Sequence, residues 1–249
     1  MTLLQLDKVG HAFLGRTVLE RIDLGISAGE LVALVGPSGS GKSTLAHIAA
    51  GLVEPRMGRV NRRYRRHAVI FQEPRLLPWK RTADNIGLGL AGQRVGGDAR
   101  RRKLHAVASR VALEYGDLEK FPAQLSGGMR QRAAIARALI AEPDFIFFDE
   151  PFSALDVALK RRMQDIVVDT VAHSGLSGLF ITHDLSEAVR IAHRILVLDR
   201  NGRGIAGSRI VPSRPGERDD RFVFETSVEF LAGDRLFAHV NDCDERSLP

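Results

Sequence analysis

Gly36 to Ser43 reads GPSGSGKS, which fits the spacing G-x-x-x-x-G-K-S/T and follows the apolar run Leu31 to Val35. A strand feeding a glycine-rich loop and then a helix is the arrangement that cradles phosphate. Gly36, Ser38, Gly39 and Ser40 are small enough for backbone N–H groups to converge on an anion, and Gly41 lets the loop turn into the next helix. Lys42 then places a positive charge between terminal phosphates, and the Ser43 hydroxyl is suited to ligate Mg²⁺. The helix from Thr44 to Ala50 directs its positive end at the same anion.

The flanking segments supply the frame. Leu3 to Val9 and Val18 to Ile26 alternate apolar and polar residues, with Ile22, Leu24 and Ile26 on one face, which predicts two antiparallel strands. Between them, His11-Ala12-Phe13-Leu14-Gly15 reads as a turn. Phe13 is either a satellite core residue or a flat surface on which a base can stack. Ala68 to Phe71 reads as a short strand ending on Gln72. Beyond it, Pro74 and Pro78 preclude a regular strand and predict a rigid, exposed loop from Glu73 to Trp79. Helical patterns at Thr82 to Ala91 and Ala99 to Tyr115 predict an all-helical insertion in an α/β core.

Leu125-Ser126-Gly127-Gly128-Met129 precedes a helical run from Arg130 to Ala141. Ser126 suits an N-cap, and the two glycines leave N–H groups open at the helix's positive end, giving either a second anion site or an ordinary capped start. Phe145 to Phe148 reads as a buried parallel strand. It delivers Asp149 and Glu150 to its carboxyl end, where ligands collect in open α/β sheets. Asp149 is suited to hold Mg²⁺ through water, and Glu150 to orient or deprotonate an attacking water. Ser153-Ala154-Leu155-Asp156 turns into a long amphipathic helix, and the strand Gly178 to Ile181 ends on Thr182-His183-Asp184. A lone histidine there is as consistent with capping or packing as with chemistry. Arg194 to Leu198 predicts a further strand, Pro212 to Asp220 a linker, and Phe222 to Phe237 a segment apolar enough to dock, followed by a polar tail.

Composition narrows the function classes. Hydrophobic content of 44% and charged content of 27% describe a globular chain, and no apolar stretch approaches the ~20 residues that span a bilayer. MTLLQLDKVG has neither the basic start nor the apolar core of a secretory signal, so a cytosolic chain is expected. Cys243 is the only cysteine, which precludes an internal disulfide, and it is expected to be a passive thiol in the tail. The formal charge is +6, with 36 basic against 30 acidic residues, concentrated in Arg56, Arg59, Arg62, Arg63, Arg65 and Arg66 and in Arg100, Arg101, Arg102 and Lys103. Such runs are usually solvated faces; anionic lipid and nucleic acid are the sharper alternatives. Aromatic residues are only 6% and do not interleave with the arginines, so nucleic acid is not expected as a partner.

Taken together and in order, the phosphate loop, Gln72, LSGGM, FIFFDE, SALD and ITHD resemble the nucleotide-binding subunit of an ATP-binding cassette (ABC) transporter over Met1 to Val211. The resemblance implies a P-loop NTPase core with N-terminal antiparallel strands, a helical subdomain inserted at about 74–140, and a linker and tail over 212–249. It implies ATP and Mg²⁺ as cofactors, with the loop from Gly36 through Pro37, Ser38, Gly39, Ser40, Gly41, Lys42 and Ser43 to Thr44 binding phosphate and Phe13 stacking on adenine. Ser43, Gln72 and Asp149 are implied metal contacts; Glu150 is the implied general base, and His183 a switch on the γ-phosphate. Ser126, Gly127 and Gly128 would hold the γ-phosphate of ATP bound to a second subunit, so that two copies pair head to tail as a homodimer and share two sites. Two transmembrane permease subunits and, indirectly, a solute-binding protein are the implied partners, at the cytoplasmic face of a bacterial inner membrane. Within the family, FQEPRLLPW over Phe71 to Trp79 is similar to subunits that drive uptake of nitrate, sulfonates and taurine. Met129 departs from the glutamine often found there, and Met57 to His67 lacks a common Asp-Gly hairpin, which predicts an altered sheet edge.

Overall fold

The computed structural model describes residues 1–201, 203–238 and 240. In chain order the strands and helices are β1 (Thr2–Phe13), β2 (Arg16–Ser27), β3 (Leu31–Val35), α1 (Lys42–Ala50), β4 (Met57–Arg62), β5 (His67–Ile70), α2 (Thr82–Gly87), α3 (Gly97–Arg110), α4 (Tyr115–Leu118), α5 (Gly127–Leu139), β6 (Phe145–Asp149), α6 (Val157–Ser174), β7 (Ser177–Ile181), α7 (Leu185–Ile191), β8 (Arg194–Leu198), β9 (Ile205–Ile210) and α8 (Asp220–Gly233). This is an α/β chain that divides into two compact units, one built from residues 1–64 and from 168 onward, the other from residues 65–167. Cys243 and the tail beyond residue 240 lie outside the described residues.

In the first unit, β1 pairs antiparallel with β2 on one side and β4 on the other. Leu4, Leu6, Ile22, Leu24 and Ile26 are buried, as the alternation requires. The expected turn at His11 to Gly15 is shorter than the sequence pattern suggested, because pairing runs through to Phe13 opposite Arg16. Leu14 and Gly15, at φ 47° and 81°, make the two-residue turn whose twist matches that of paired strands. The stretch expected to alter a sheet edge supplies the edge strand β4 itself.

The same unit holds a mixed sheet in which β3 lies between β7 and β8, parallel to both, and β9 runs antiparallel beside β8. Every residue of β3 and β7 is buried, which is why each reads as a continuous apolar run. The segment from Phe222 docks as expected: Val223 and Phe237 join the core formed by β3, β8 and α7, and the Phe230 and Phe237 rings stack at 5.0 Å. Of the expected linker, Pro212 to Asp219 has no regular structure and Asp220 opens α8, yet the stretch is tied down. Arg218, only 5% exposed, donates to the carbonyl oxygens of Val189 at 2.6 Å, Ala192 at 2.7 Å and Ser213 at 2.8 Å. A guanidinium thus closes the carboxyl end of α7, whose last carbonyls have no partner within the helix. Arg62 does the same for α1, donating to Ile48 and Ala49 at 2.6 and 2.8 Å, so this member of the basic cluster faces inward rather than out to solvent.

In the second unit, β5 pairs parallel with β6, and the buried helix α5 packs against α2, α3 and β5. The helix expected from Ala99 to Tyr115 ends instead at Arg110. Ala112 adopts φ 56°, and Leu113 N–H bonds to Ala108 at 2.9 Å, a left-handed closure that stops the helix. A capping box between Glu114 and Asp117 then starts the separate short helix α4.

Candidate active site

The first unit carries the phosphate loop, Phe13 and His183. The chain leaves the buried β3 at Val35 and enters α1 at Lys42 through Gly41, whose φ is 98°. A Cβ at Gly41 would lie 2.9 Å from Leu19 Cδ2, so both the backbone angle and the space demand glycine. Lys42 is 6% exposed, and its Nζ donates to the carbonyl oxygens of Gly36 and Pro37 at 2.8 and 2.7 Å. The ammonium therefore lies across the loop that precedes it. Ser40 is buried, and its hydroxyl has no hydrogen-bond partner among the described residues, whereas Ser38, Gly39 and Ser43 are exposed and Thr44 is half-buried. The first turn of α1 contains no acidic residue to offset its positive end. A buried cation, an unpartnered buried hydroxyl and an uncompensated helix start fit a phosphate-bearing ligand.

Phe13 is 49% exposed, and its ring meets His11 edge-on at 4.6 Å. That decides against the satellite-core reading and leaves an accessible aromatic face. Thr182 N–H donates to the Leu34 carbonyl at 3.4 Å, so the exposed His183 follows a residue tied to the strand that feeds the loop.

The second unit carries Gln72, Ser126 to Gly128, Asp149 and Glu150. Ser126 Oγ accepts from Met129 N–H at 3.2 Å, which makes it the N-cap of α5; the helix therefore begins three residues earlier than its apolar pattern indicated. A Cβ at Gly128 would meet Leu155 Cδ2 at 3.4 Å, so this glycine-rich start abuts the turn that precedes α6. Asp149 is the buried last residue of β6, and Glu150 follows half-buried at φ 46°. Gln72 is exposed two residues beyond β5, and Gln131 of α5 donates to the carbonyl oxygen before it, at Phe71, over 3.2 Å. Among the described residues no three or more His, Cys, Asp or Glu side chains gather as a metal cluster, so a cation here would need oxygens from a ligand as well.

The loop carrying Trp79 is held by residues that sequence reasoning missed. Asn85, buried on α2, accepts from Leu77 N–H at 2.7 Å and donates to the carbonyls of Leu77 and Lys80 at 3.1 and 3.0 Å. From α5, Arg137 donates to the carbonyls of Arg75 and Pro74 at 2.8 and 2.9 Å. Burial pushes the Arg137 guanidinium below its ordinary value. Trp79 itself stays 69% exposed. The available signal was Asn85 itself, a polar residue placed where the α2 pattern faces inward.

A family model described as ABC transporter matches residues 19–153. The aliphatic sulfonates import ATP-binding protein of Nocardia farcinica (strain IFM 10152) is 45% identical over 221 residues, covering 89% of this chain and 87% of its own. Its counterpart in Escherichia coli (strain K12) is 44% identical over 237 residues, covering 92% and 90%. Among solved structures, a dimeric post-hydrolysis ATP-binding cassette bound to ADP and Pi superposes with a TM-score of 0.78 at 28% identity, covering 84% of this chain and 99% of that one. A dimeric bacterial ABC transporter cassette gives 0.79 at 29% identity with the same coverage. With the phosphate loop, the LSGG helix start and the Asp149-Glu150 strand end in place, this chain belongs to the ABC transporter family, as an ATP-binding ATPase subunit.

Proposed function

We propose that this chain powers an importer of small aliphatic sulfonates. Two copies pair head to tail at the cytoplasmic face of a bacterial inner membrane, beneath two permease subunits that receive solute from a separate binding protein. The observation that supports this most is the identity of about 45% with sulfonate-import ATP-binding proteins over nearly the whole of both chains. No helix among the described residues is long and apolar enough to cross a membrane, so the pore is assigned to other subunits.

In this reading Gly36 to Thr44 bind the ATP phosphates through backbone N–H groups and the Lys42 ammonium, and Phe13 stacks on the adenine. Ser43, Gln72 and Asp149 supply oxygens for Mg²⁺, which when bound neutralises charge that develops between the terminal phosphates. Glu150 takes the proton of the attacking water, Gln72 orients that water, and His183 contacts the γ-phosphate. Ser126, Gly127 and Gly128 of the other copy close the site. One chain then carries one complete set of residues divided between two shared sites.

The test is ATPase stimulation in a complex reconstituted with permease and binding protein. Sulfonate-loaded binding protein raises the rate; stimulation by nitrate but not by sulfonates would overturn the assignment. Mixed dimers test the sharing. When Ser126→Arg chains are mixed with Lys42→Ala chains, one site combines both defects and the other has neither, so activity reappears on mixing. Two silent parents that stay silent together would count against shared sites.

A further inference from the structure

Resting on the reading of His183 as the γ-phosphate contact, we propose that Glu187 is a positioning residue for His183, acting through the hydroxyl of Thr182. Glu187 is the third residue of α7 and is 6% exposed. At that position after an N-cap, a glutamate ordinarily reaches back to the N–H of the capping residue, closing a capping box. Here the cap is Asp184, whose carboxylate accepts from Ser186 and Glu187 N–H at 2.9 and 3.3 Å, but the reciprocal bond is missing its usual form. The Asp184 N–H donates to Thr182 Oγ1 at 3.0 Å, and the Thr182 hydroxyl donates in turn to Glu187 Oε2 at 2.7 Å.

A threonine hydroxyl has been inserted between the carboxylate and the backbone group that it would otherwise reach. The consequence falls on the residue between Thr182 and Asp184. The peptide unit joining His183 to Asp184 is fixed by its N–H on Thr182, and the one preceding Thr182 is fixed by its N–H on Leu34 at 3.4 Å. His183 therefore hangs from a backbone held on both sides while its own side chain stays exposed. Leu34 lies two residues before Gly36, so the same network sets this backbone against the strand that leads into the phosphate loop.

Burying a carboxylate is costly unless its bonds are needed. Helix capping does not need this one, because Asp184 already satisfies the N–H groups of Ser186 and Glu187. What Glu187 adds is a fixed direction for the Thr182 hydroxyl, which has one proton to donate and gives it to Glu187 Oε2.

The experiment uses the full-length chain and measures kcat and ATP affinity separately. Glu187→Ala and Thr182→Val should each lower kcat by roughly tenfold with ATP affinity unchanged, and Thr182→Ser should stay within about twofold of the parent. In a His183→Ala background, adding Glu187→Ala should change kcat by less than about twofold, because residues acting as one unit are not additive. Effects that multiply in full across the two backgrounds overturn the proposal, as does ATP affinity that falls in step with kcat. If Glu187→Ala fails to fold, the Thr182→Val and Thr182→Ser pair decides: equal losses in both overturn the proposal. If His183→Ala alone leaves kcat intact, the underlying role of His183 fails and the proposal with it, whereas full multiplication leaves that role standing.

Discussion

Leu31 and His193 hold each other twice: Leu31 N–H donates to His193 Nδ1 at 3.1 Å, and His193 N–H donates to the Leu31 carbonyl at 2.8 Å. The first bond needs an unprotonated Nδ1. Burial, and then the Arg218 guanidinium, push this imidazole below its ordinary value of 6.5. A histidine whose folded pKa is depressed contributes stability that is present above the unfolded pKa and lost as pH falls through the folded one. Thermal unfolding should therefore be insensitive to this group above about pH 6.5 and weaken below it. His193→Gln should flatten that acid limb; an unchanged slope would exclude the Leu31 bond as its cause.

Lys42→Ala should abolish measurable ATP binding. The ammonium already lies buried across the loop, bonded to Gly36 and Pro37, so its loss removes a positive charge that the fold holds there. Isothermal calorimetry with ATP gives the answer, and near-normal affinity would remove Lys42 from the site.

Glu150→Gln should keep ATP binding and slow turnover by about 10² to 10⁴, the usual contribution of a positioned general base. The variant should then accumulate as an ATP-bound dimer on size-exclusion chromatography. A monomer under saturating ATP would contradict pairing through the nucleotide.

Trp79→Ala should leave the ATPase of the isolated subunit within a few-fold of the parent, less than about 1 kcal/mol, because the loop's anchors at Asn85 and Arg137 do not involve the indole. In the reconstituted complex the same change should abolish stimulation by loaded binding protein, since a rigidly presented, exposed tryptophan is the kind of residue that anchors an interface. As the only tryptophan, it also reports its own burial: emission should shift to the blue when permease docks.

The parts legible in the sequence are those whose physics is local. The loop from Gly36, the Ser126 cap and the apolar strand before Asp149 each declare themselves within a few residues. What escaped was long-range satisfaction of carbonyl groups. Arg62 and Arg218 read like any solvated arginine, and nothing near them in sequence says that α1 and α7 end beneath them. Ala112 illustrates the opposite gap: alanine gives no hint of a left-handed angle, so the pattern of α3 ran past its true end. The edge strand β9 is mostly exposed and so carries no apolar run, and α7 is buried on nearly every side and so shows no polar stripe against which a helical period could register.

The left-handed backbone at Glu150 sets heat resistance against turnover at a single codon. Holding a side chain at φ 46° works against the folded state by an amount on the order of 1 kcal/mol, and glycine would remove that strain together with the carboxylate. A library selected for thermal robustness alone should thus enrich glycine at 150 and fill with proteins that bind ATP and cannot spend it. A durable yet working descendant of this chain has to find its extra stability elsewhere, at positions such as Gly116 or Gly233, where a Cβ meets nothing within 4 Å and the backbone angle is one that other residues adopt.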